Sequence, residues 1–319
     1  MGTIVVTGAA GFIGSTLCTT LLDQAHRVRG IDVRSPRTDQ TAAANLAAVI
    51  DHPAFELLAV DLLDTPLADV FSDADVVVHL AGQPGVQSSW GLGFANHVDR
   101  NVHAAQVVLE ATLAARVGRT VLASSSSVYG HIARGRAVET ARLAPRSPYG
   151  VTKAAAEQLT AVYARRGLSA VSLRYFTVYG PRQRPDMAFH RIVAAALGGP
   201  AFPLRGDGRQ VREFTYVDDA VAATVAATTA DLPPGWVGNV GGGEPTSLNA
   251  AIALVEELSG RPVPVQPAPP APGDPDRTAA DLGEAEAALG WRPTTELRTG
   301  LRAQLRWQGA MVGAGGRTS

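Results

Sequence analysis

The chain is short of cysteine, of net charge and of long apolar runs, and each shortage narrows what it does. A single cysteine in 319 residues, Cys18, excludes an internal disulfide framework and fits a reducing compartment. No nucleophile motif surrounds it, so it reads as a small buried hydrophobe on the first helix. The net charge of −1 leaves no electrostatic footprint for nucleic acid or for an anionic membrane surface. No uninterrupted apolar run approaches the ~20 residues that a membrane span requires. The sequence opens directly on a strand with no basic segment before it, which predicts no secretory signal and a cytoplasmic location. No internal repeat is visible.

What remains is a globular composition, 46% hydrophobic and 18% charged, at a length that suits one large or two modest domains of ~150 residues each. Short β-branched runs at Ile4–Thr7, Arg27–Asp32, Phe55–Asp61, Val76–Leu80, Thr120–Ser124 and Ala170–Tyr175 alternate with helical patterns at Phe12–Gln24, Asn101–Ala115 and Tyr149–Arg166. That alternation predicts an α/β fold, a doubly wound parallel sheet with helices on both faces. The strands are continuous apolar runs, as expected when both faces are covered. After Gly180 the texture changes, with helices expected at Phe214–Thr229 and Leu248–Leu258 around a short strand at Val237–Val240. Seven prolines fall between Pro262 and Pro275, a stretch expected to hold neither helix nor sheet. Residues 309–319 are small and polar and are expected to fray.

The segment Thr7-Gly-Ala-Ala-Gly-Phe-Ile-Gly14 follows the first strand and opens the first helix. Glycines Gly8, Gly11 and Gly14 let the backbone turn sharply and approach a pyrophosphate, whose charge the helix N-terminus stabilises. Phe12 and Ile13 sit between them. The second strand ends in Asp32, about where a carboxylate meets the adenosine ribose of a dinucleotide. An acid there favours NAD, because a 2′-phosphate would face a like charge; Arg34, two residues on, softens that choice. Asp61-Leu62 closes the third strand and suits the adenine edge, although Asp61 alone is equally a turn residue. His79-Leu80-Ala81-Gly82 closes the fourth with small residues that let backbone run beside the cofactor.

Tyr149-Gly-Val-Thr-Lys153 places a phenol and an ammonium one turn apart on a helix face. A free phenol, near pKa ~10, is too weak a base at neutral pH. A neighbouring lysine, together with a positive nicotinamide ring, brings the phenolate toward the working range. Alone, the pair is common by chance. Upstream, however, Ser124-Ser-Ser-Ser127 ends the fifth strand, at the carboxyl edge where doubly wound sheets bind ligands.

With these motifs assembled, the chain resembles the extended short-chain dehydrogenase/reductases, in particular the nucleotide-sugar epimerase and dehydratase branch. The resemblance implies an NAD-dependent enzyme with Ser125, Tyr149 and Lys153 catalytic, Lys153 also holding the nicotinamide ribose. It adds Asn101 to the cofactor-binding residues and pairs the Asn101 and Tyr149 helices of two chains into a dimeric four-helix bundle. It divides the chain into an NAD-binding Rossmann domain (residues 1–178 and 213–241) and a smaller α+β domain for the nucleotide sugar (179–212 and 242–308). Within the latter, Gly206 to Asp219 is similar to a nucleotide-diphosphate segment in which Arg212 meets the substrate pyrophosphate. Phe202 and Leu204 would pack on the base, Asp274 would lie in a ribose-binding turn, and Arg277 would supply a second phosphate ligand.

Most telling is Arg174 to Met187. Relatives that act on galactose-type substrates carry an asparagine where this chain has Thr177, and the threonine followed by PRQRPDMAFH is similar to UDP-glucuronate 4-epimerases. A hydroxyl and a nearby arginine, Arg182 or Arg184, suit a sugar carrying a carboxylate. The expectation is therefore C4 epimerisation of a UDP-sugar, UDP-glucuronate to UDP-galacturonate, through a transient 4-keto intermediate. Dehydration is disfavoured, because Ser126 and Ser127 occupy the places of the required acid and base. Decarboxylation to a UDP-pentose remains the alternative, although relatives that decarboxylate carry a glutamate where Ser127 stands. UDP-glucose epimerisation is a second alternative. A nucleotide-sensing regulator is disfavoured, since tyrosine and lysine are both present.

Overall fold

The computed structural model describes residues 2–132 and 134–315. Its first half runs β1 (Thr3–Thr7), α1 (Phe12–Asp23), β2 (Arg27–Asp32), α2 (Gln40–Leu46), β3 (Phe55–Ala59), α3 (Leu67–Val70) and β4 (Val76–His79). Next come α4 (Gly93–Val98), a π-helical turn at Asp99–His103, α5 (Ala104–Ala114), β5 (Arg119–Ser125), α6 (Pro148–Arg165) and β6 (Ala170–Tyr175). The remainder comprises β7 (Val178–Tyr179), α7 (Ala188–Ala196), β8 (Phe202–Arg205), β9 (Val211–Glu213), β10 (Thr215–Tyr216), α8 (Val217–Thr229) and β11 (Val237–Val240). It ends with β12 (Pro245–Ser247), α9 (Leu248–Ser259), β13 (Val265–Ala268), α10 (Gly283–Leu289) and α11 (Leu297–Gly315).

Seven strands form one sheet in the order β11-β6-β5-β4-β1-β2-β3, and every pairing in it is parallel. The predicted doubly wound sheet is therefore present. The strand order reverses direction beside β1, and there the carboxyl ends of β1 and β4 diverge to open a crevice. Every residue of β6 is buried, which explains why the central strands carry apolar residues on both faces. The expected bounds of β2, β6 and β11 coincide with those observed.

Four expectations need correction. The proline-rich run does contain a strand: β13 lies parallel to β8, with Val265 opposite Phe202 and Pro267 opposite Leu204. Prolines lack the N–H but keep the carbonyl, so Phe202 N donates to Pro264 O at 2.7 Å and Gly206 N to Ala268 O at 3.0 Å. The helix expected from Phe214 begins at Val217, because Thr215 and Tyr216 pair with Val178 and Tyr179. The helix expected from Asn101 has its own earlier start in α4 and a π turn centred on Asn101. Of residues 309–319, expected to fray, 309–315 continue α11, and 316–319 lie outside the described residues. That helix is tied down through Gln304, whose amide accepts from Gly180 N at 3.0 Å and donates to Gln183 at 2.8 Å.

Candidate active site

The crevice at the carboxyl edge of the sheet is a cleft of ≈ 870 Å³. Its near wall is the glycine loop. Gly8 has φ +72°, and a Cβ there would lie 2.8 Å from Ala81 N. A Cβ on Gly14 would lie 2.1 Å from the Gly8 carbonyl oxygen, so helix and loop backbones touch with no room for a side chain. Gly11 precedes α1 with no side-chain cap, and no acid stands in the first turn, which leaves the N–H groups of that turn free for an anion. Phe12, Ile13, Leu62, Leu80, Ala81 and Gly82 line the cleft with Gly8, Gly11 and Gly14. These features fit the pyrophosphate and rings of NAD.

Asp32 also lines the cleft, but it already has partners. It accepts from Ala10 N at 3.0 Å, and Arg34 donates to it from its backbone N and from Nε and Nη2 at 3.0–3.1 Å. Asp61 is both turn residue and cleft wall: it accepts from Leu63 N at 3.0 Å, and Arg100 Nη1 reaches its oxygens at 2.7 and 2.6 Å. The Arg100 hydrogen bond holds its carboxyl below the usual range. Sequence reasoning missed Arg100, whose partner is 39 residues away and carries no local signature. Asn101 stands behind the wall rather than in it. Its amide donates to Gln83 O and Thr152 Oγ1 and accepts from Gln83 N, clamping the loop after β4 onto α6.

The far wall holds Ser125, Ser126, Ser127, Tyr149, Lys153, Thr177 and Arg184. Ser147 caps α6 by accepting from Gly150 N at 3.1 Å, with Pro148 in the first turn, and this starts the helix one residue before Tyr149. Burial pushes the Tyr149 phenol above its ordinary value, opposed by a Ser125 hydrogen bond and by the charge of Arg184. Lys153 donates to Ala123 O at 2.8 Å, and burial pulls its ammonium down to about 8. It is the only lysine of the chain, a signal that was open to reading in the sequence. Arginine could not replace it, being a larger cation that does not titrate.

The two candidate arginines separate. Arg182 adopts φ +66° and turns back to Ser15 on α1 at 3.5 Å, whereas Arg184 faces the cleft and holds Asp186 through contacts of 2.9 and 2.6 Å. Outside the seven-stranded sheet, Arg212 donates to Asp274 at 2.7 Å, and Val211 bridges to Arg277, whose side chain bonds Gly135 O. None of Arg212, Asp274 and Arg277 lines the cleft. Phe202, by contrast, is a core residue at 5% exposure, and Leu204 is half-buried against the same core. Among the described residues no cluster of side chains is suited to a metal ion, and no helix is long and apolar enough to cross a membrane. A more open hollow of ≈ 560 Å³ around Asp219, Trp291 and Arg292 shares no residue with the cleft.

A dinucleotide cradle that faces a serine–tyrosine–lysine wall defines a class, and comparison with known proteins gives it a family. Residues 4–241 match the NAD dependent epimerase/dehydratase family, and the chain belongs to it. It is similar to the uncharacterized UDP-glucose epimerase YtcB of Bacillus subtilis, 41% identical over 307 residues, covering 95% of this chain and 97% of that one. It is also similar to a UDP-glucuronate 4-epimerase of Thermodesulfobacterium geofontis, 33% identical over 96% of each chain. Among solved structures, UDP-glucuronic acid 4-epimerase from Bacillus cereus, in complex with UDP-glucuronic acid and NAD, superposes with a TM-score of 0.93. That protein is 41% identical, and the match covers 97% of this chain and 99% of the other.

Proposed function

We propose that the protein is an NAD-dependent epimerase that inverts C4 of UDP-glucuronate to give UDP-galacturonate. The observation that carries this reading is the composition of the far wall. Around Tyr149 stand the neutral hydroxyls of Ser125, Ser126, Ser127 and Thr177, with Arg184 beside them. A neutral donor set can hold a sugar carboxylate near the plane of a C4 carbonyl. That orientation keeps the carboxylate bond out of line with the carbonyl π system and so protects the β-keto acid from losing carbon dioxide. The wall has one carboxylate, Asp186, and Arg184 neutralises it.

NAD, held by the glycine loop and Asp32, supplies the acceptor and later the donor of the C4 hydride. Tyr149 takes the C4 hydroxyl proton and returns it after the sugar has turned over, and Ser125 shares that hydrogen bond. Lys153 supplies positive charge next to the phenol and a donor for the nicotinamide ribose. Arg212, Asp274 and Arg277, brought side by side outside the seven-stranded sheet, suit the UDP moiety; Arg212 as a forked donor fits the pyrophosphate. Residues 1–178 and 213–241 would hold NAD, and 179–212 and 242–308 the nucleotide sugar. The exposed Val151 and Val162, about three turns apart on α6, support a homodimer in which α6 and α5 would form the interface.

Proton NMR of the sugar after incubation with UDP-glucuronate and NAD tests the reading. UDP-galacturonate with little UDP-pentose is expected. A UDP-xylose or 4-keto-pentose product would show that the wall promotes decarboxylation, and turnover of UDP-glucose alone would refute the role given to Thr177 and Arg184.

A further inference from the structure

Behind the far wall lies a buried polar chain that the reaction itself does not use. Glu157 follows Lys153 by one turn on α6 and is 4% exposed. Arg174 on β6 grips both of its oxygens, Nε to Oε1 at 2.9 Å and Nη2 to Oε2 at 2.8 Å. Ser124 on β5 donates its hydroxyl to Oε1. Arg174 in turn donates to the Tyr129 hydroxyl at 2.7 Å, and that hydroxyl donates to Asn239 Oδ1 at 2.7 Å. All of these groups are buried. Burying so many polar groups is costly unless each is satisfied, and here the chain of partners is continuous.

The register is informative. Consecutive residues of β5 receive consecutive turns of α6: the Ala123 carbonyl takes Lys153, and the Ser124 hydroxyl takes Glu157. Ser125, the next residue, departs from that order and hydrogen-bonds Tyr149, one turn before Lys153. We propose that Glu157 is the positioning residue of the catalytic pair. Locked by Ser124 and Arg174, it fixes α6 against β5 and keeps the Lys153 ammonium charged against the Ala123 carbonyl. This rests on the epimerase reading for the role of Lys153, and on geometry for the contacts.

The electrostatics around Lys153 support it. The ionisable groups facing it are His79 at the end of β4, His97 on α4, and Tyr149 and Glu157 on its own helix. Burial, and then the charge of Lys153 itself, pulls His79 down to about 3 and His97 below its usual range. Both imidazoles are thus neutral where Lys153 titrates, and Tyr149 is pushed up. Burial lowers Lys153 and Glu157 raises it, so the carboxylate is the one group in that shell that favours the ammonium.

Because the chain has one lysine, protein grown on lysine labelled with carbon-13 at Cε gives a single side-chain signal to titrate in the NAD-bound enzyme. The wild-type signal should titrate below the ordinary lysine range, because burial opposes the ammonium. In Glu157→Gln it should titrate about one pH unit or more lower, since a counter-charge is lost and Arg174 is left unpaired. The alkaline limb of the pH–rate profile should move with it, with kcat reduced at least ~tenfold and KM little changed. A Glu157→Gln protein that melts lower yet keeps the wild-type titration and pH profile would overturn the proposal. If that variant does not fold, Ser124→Ala decides: it leaves the charges in place and releases α6. A kcat loss of ~tenfold at unchanged KM supports the role of the lock, and wild-type kcat refutes it. The titration needs no substrate, so a wild-type enzyme inactive on UDP-glucuronate would sink the epimerase reading and leave this test standing.

Discussion

Replacing Gly14 with alanine adds one methyl, and the structure gives its consequence in two currencies, stability and cofactor retention. The new Cβ would sit 2.1 Å from Gly8 O and 2.8 Å from Gly8 C. Ordinary carbon–oxygen contacts are ~3.3 Å or longer, so the overlap exceeds ~1 Å, and it is with backbone that cannot rotate away. Overpacking of this kind costs ~1–3 kcal/mol. Alanine in a helix regains up to ~1 kcal/mol over glycine, which leaves a net loss of up to ~2 kcal/mol. The melting temperature should then fall by up to ~8 °C. Displacing the Gly8–Gly11 loop also misaims the amides meant for the pyrophosphate. Losing one hydrogen bond to a charged group costs ~1.5–3 kcal/mol, which is ~10–100-fold in NAD affinity. Gly309→Ala is the control. It too lies in a helix, but a Cβ there meets nothing within 4 Å, so it should raise the melting temperature slightly and retain NAD. Thermal melting and the absorbance of cofactor released on denaturation measure both. A Gly14→Ala protein as stable as Gly309→Ala, with full NAD content, would refute the reasoning.

Tyr149→Phe should leave cofactor and substrate binding nearly intact and cut turnover by ~100-fold or more; unchanged turnover would make the tyrosine structural. Asp32→Ala should weaken NAD binding in titration calorimetry and relax the preference over NADP. Tighter binding of NADP by the unaltered protein would show that Arg34, which grips both Asp32 oxygens, rules that site. Cys18 is fully buried and burial pushes its thiol up to about 12, so a thiol reagent at pH 8 should leave it unmodified until denaturant is added. Fast modification in the native state would contradict the packing of α1.

Period and punctuation made the sheet legible in advance. A parallel strand covered on both faces must be apolar throughout, and a glycine loop between strand and helix has few other uses, so β1 to β6 and the cofactor cradle could be read without coordinates. Tyr149 and Lys153 were readable for a similar reason, since helical spacing fixes where side chains point, whereas the strand end offered four serines and only the family resemblance singled out Ser125. The chain alone could not show which long-range partner each polar group finds. Arg182 and Arg184 look equivalent in sequence, but a left-handed turn at Arg182 sends one to α1 and the other into the cleft. The proline run was misread because proline denies the ladder only its donors, and β8 supplies those. Asp61 meeting Arg100, Asn101 clamping Gln83, and Glu157 sharing Arg174 with Tyr129 all join groups far apart along the chain. Local propensity and spacing are properties of sequence, whereas hydrogen bonds and charge pairs between elements exist only once packing has removed water and left each buried group one partner to find.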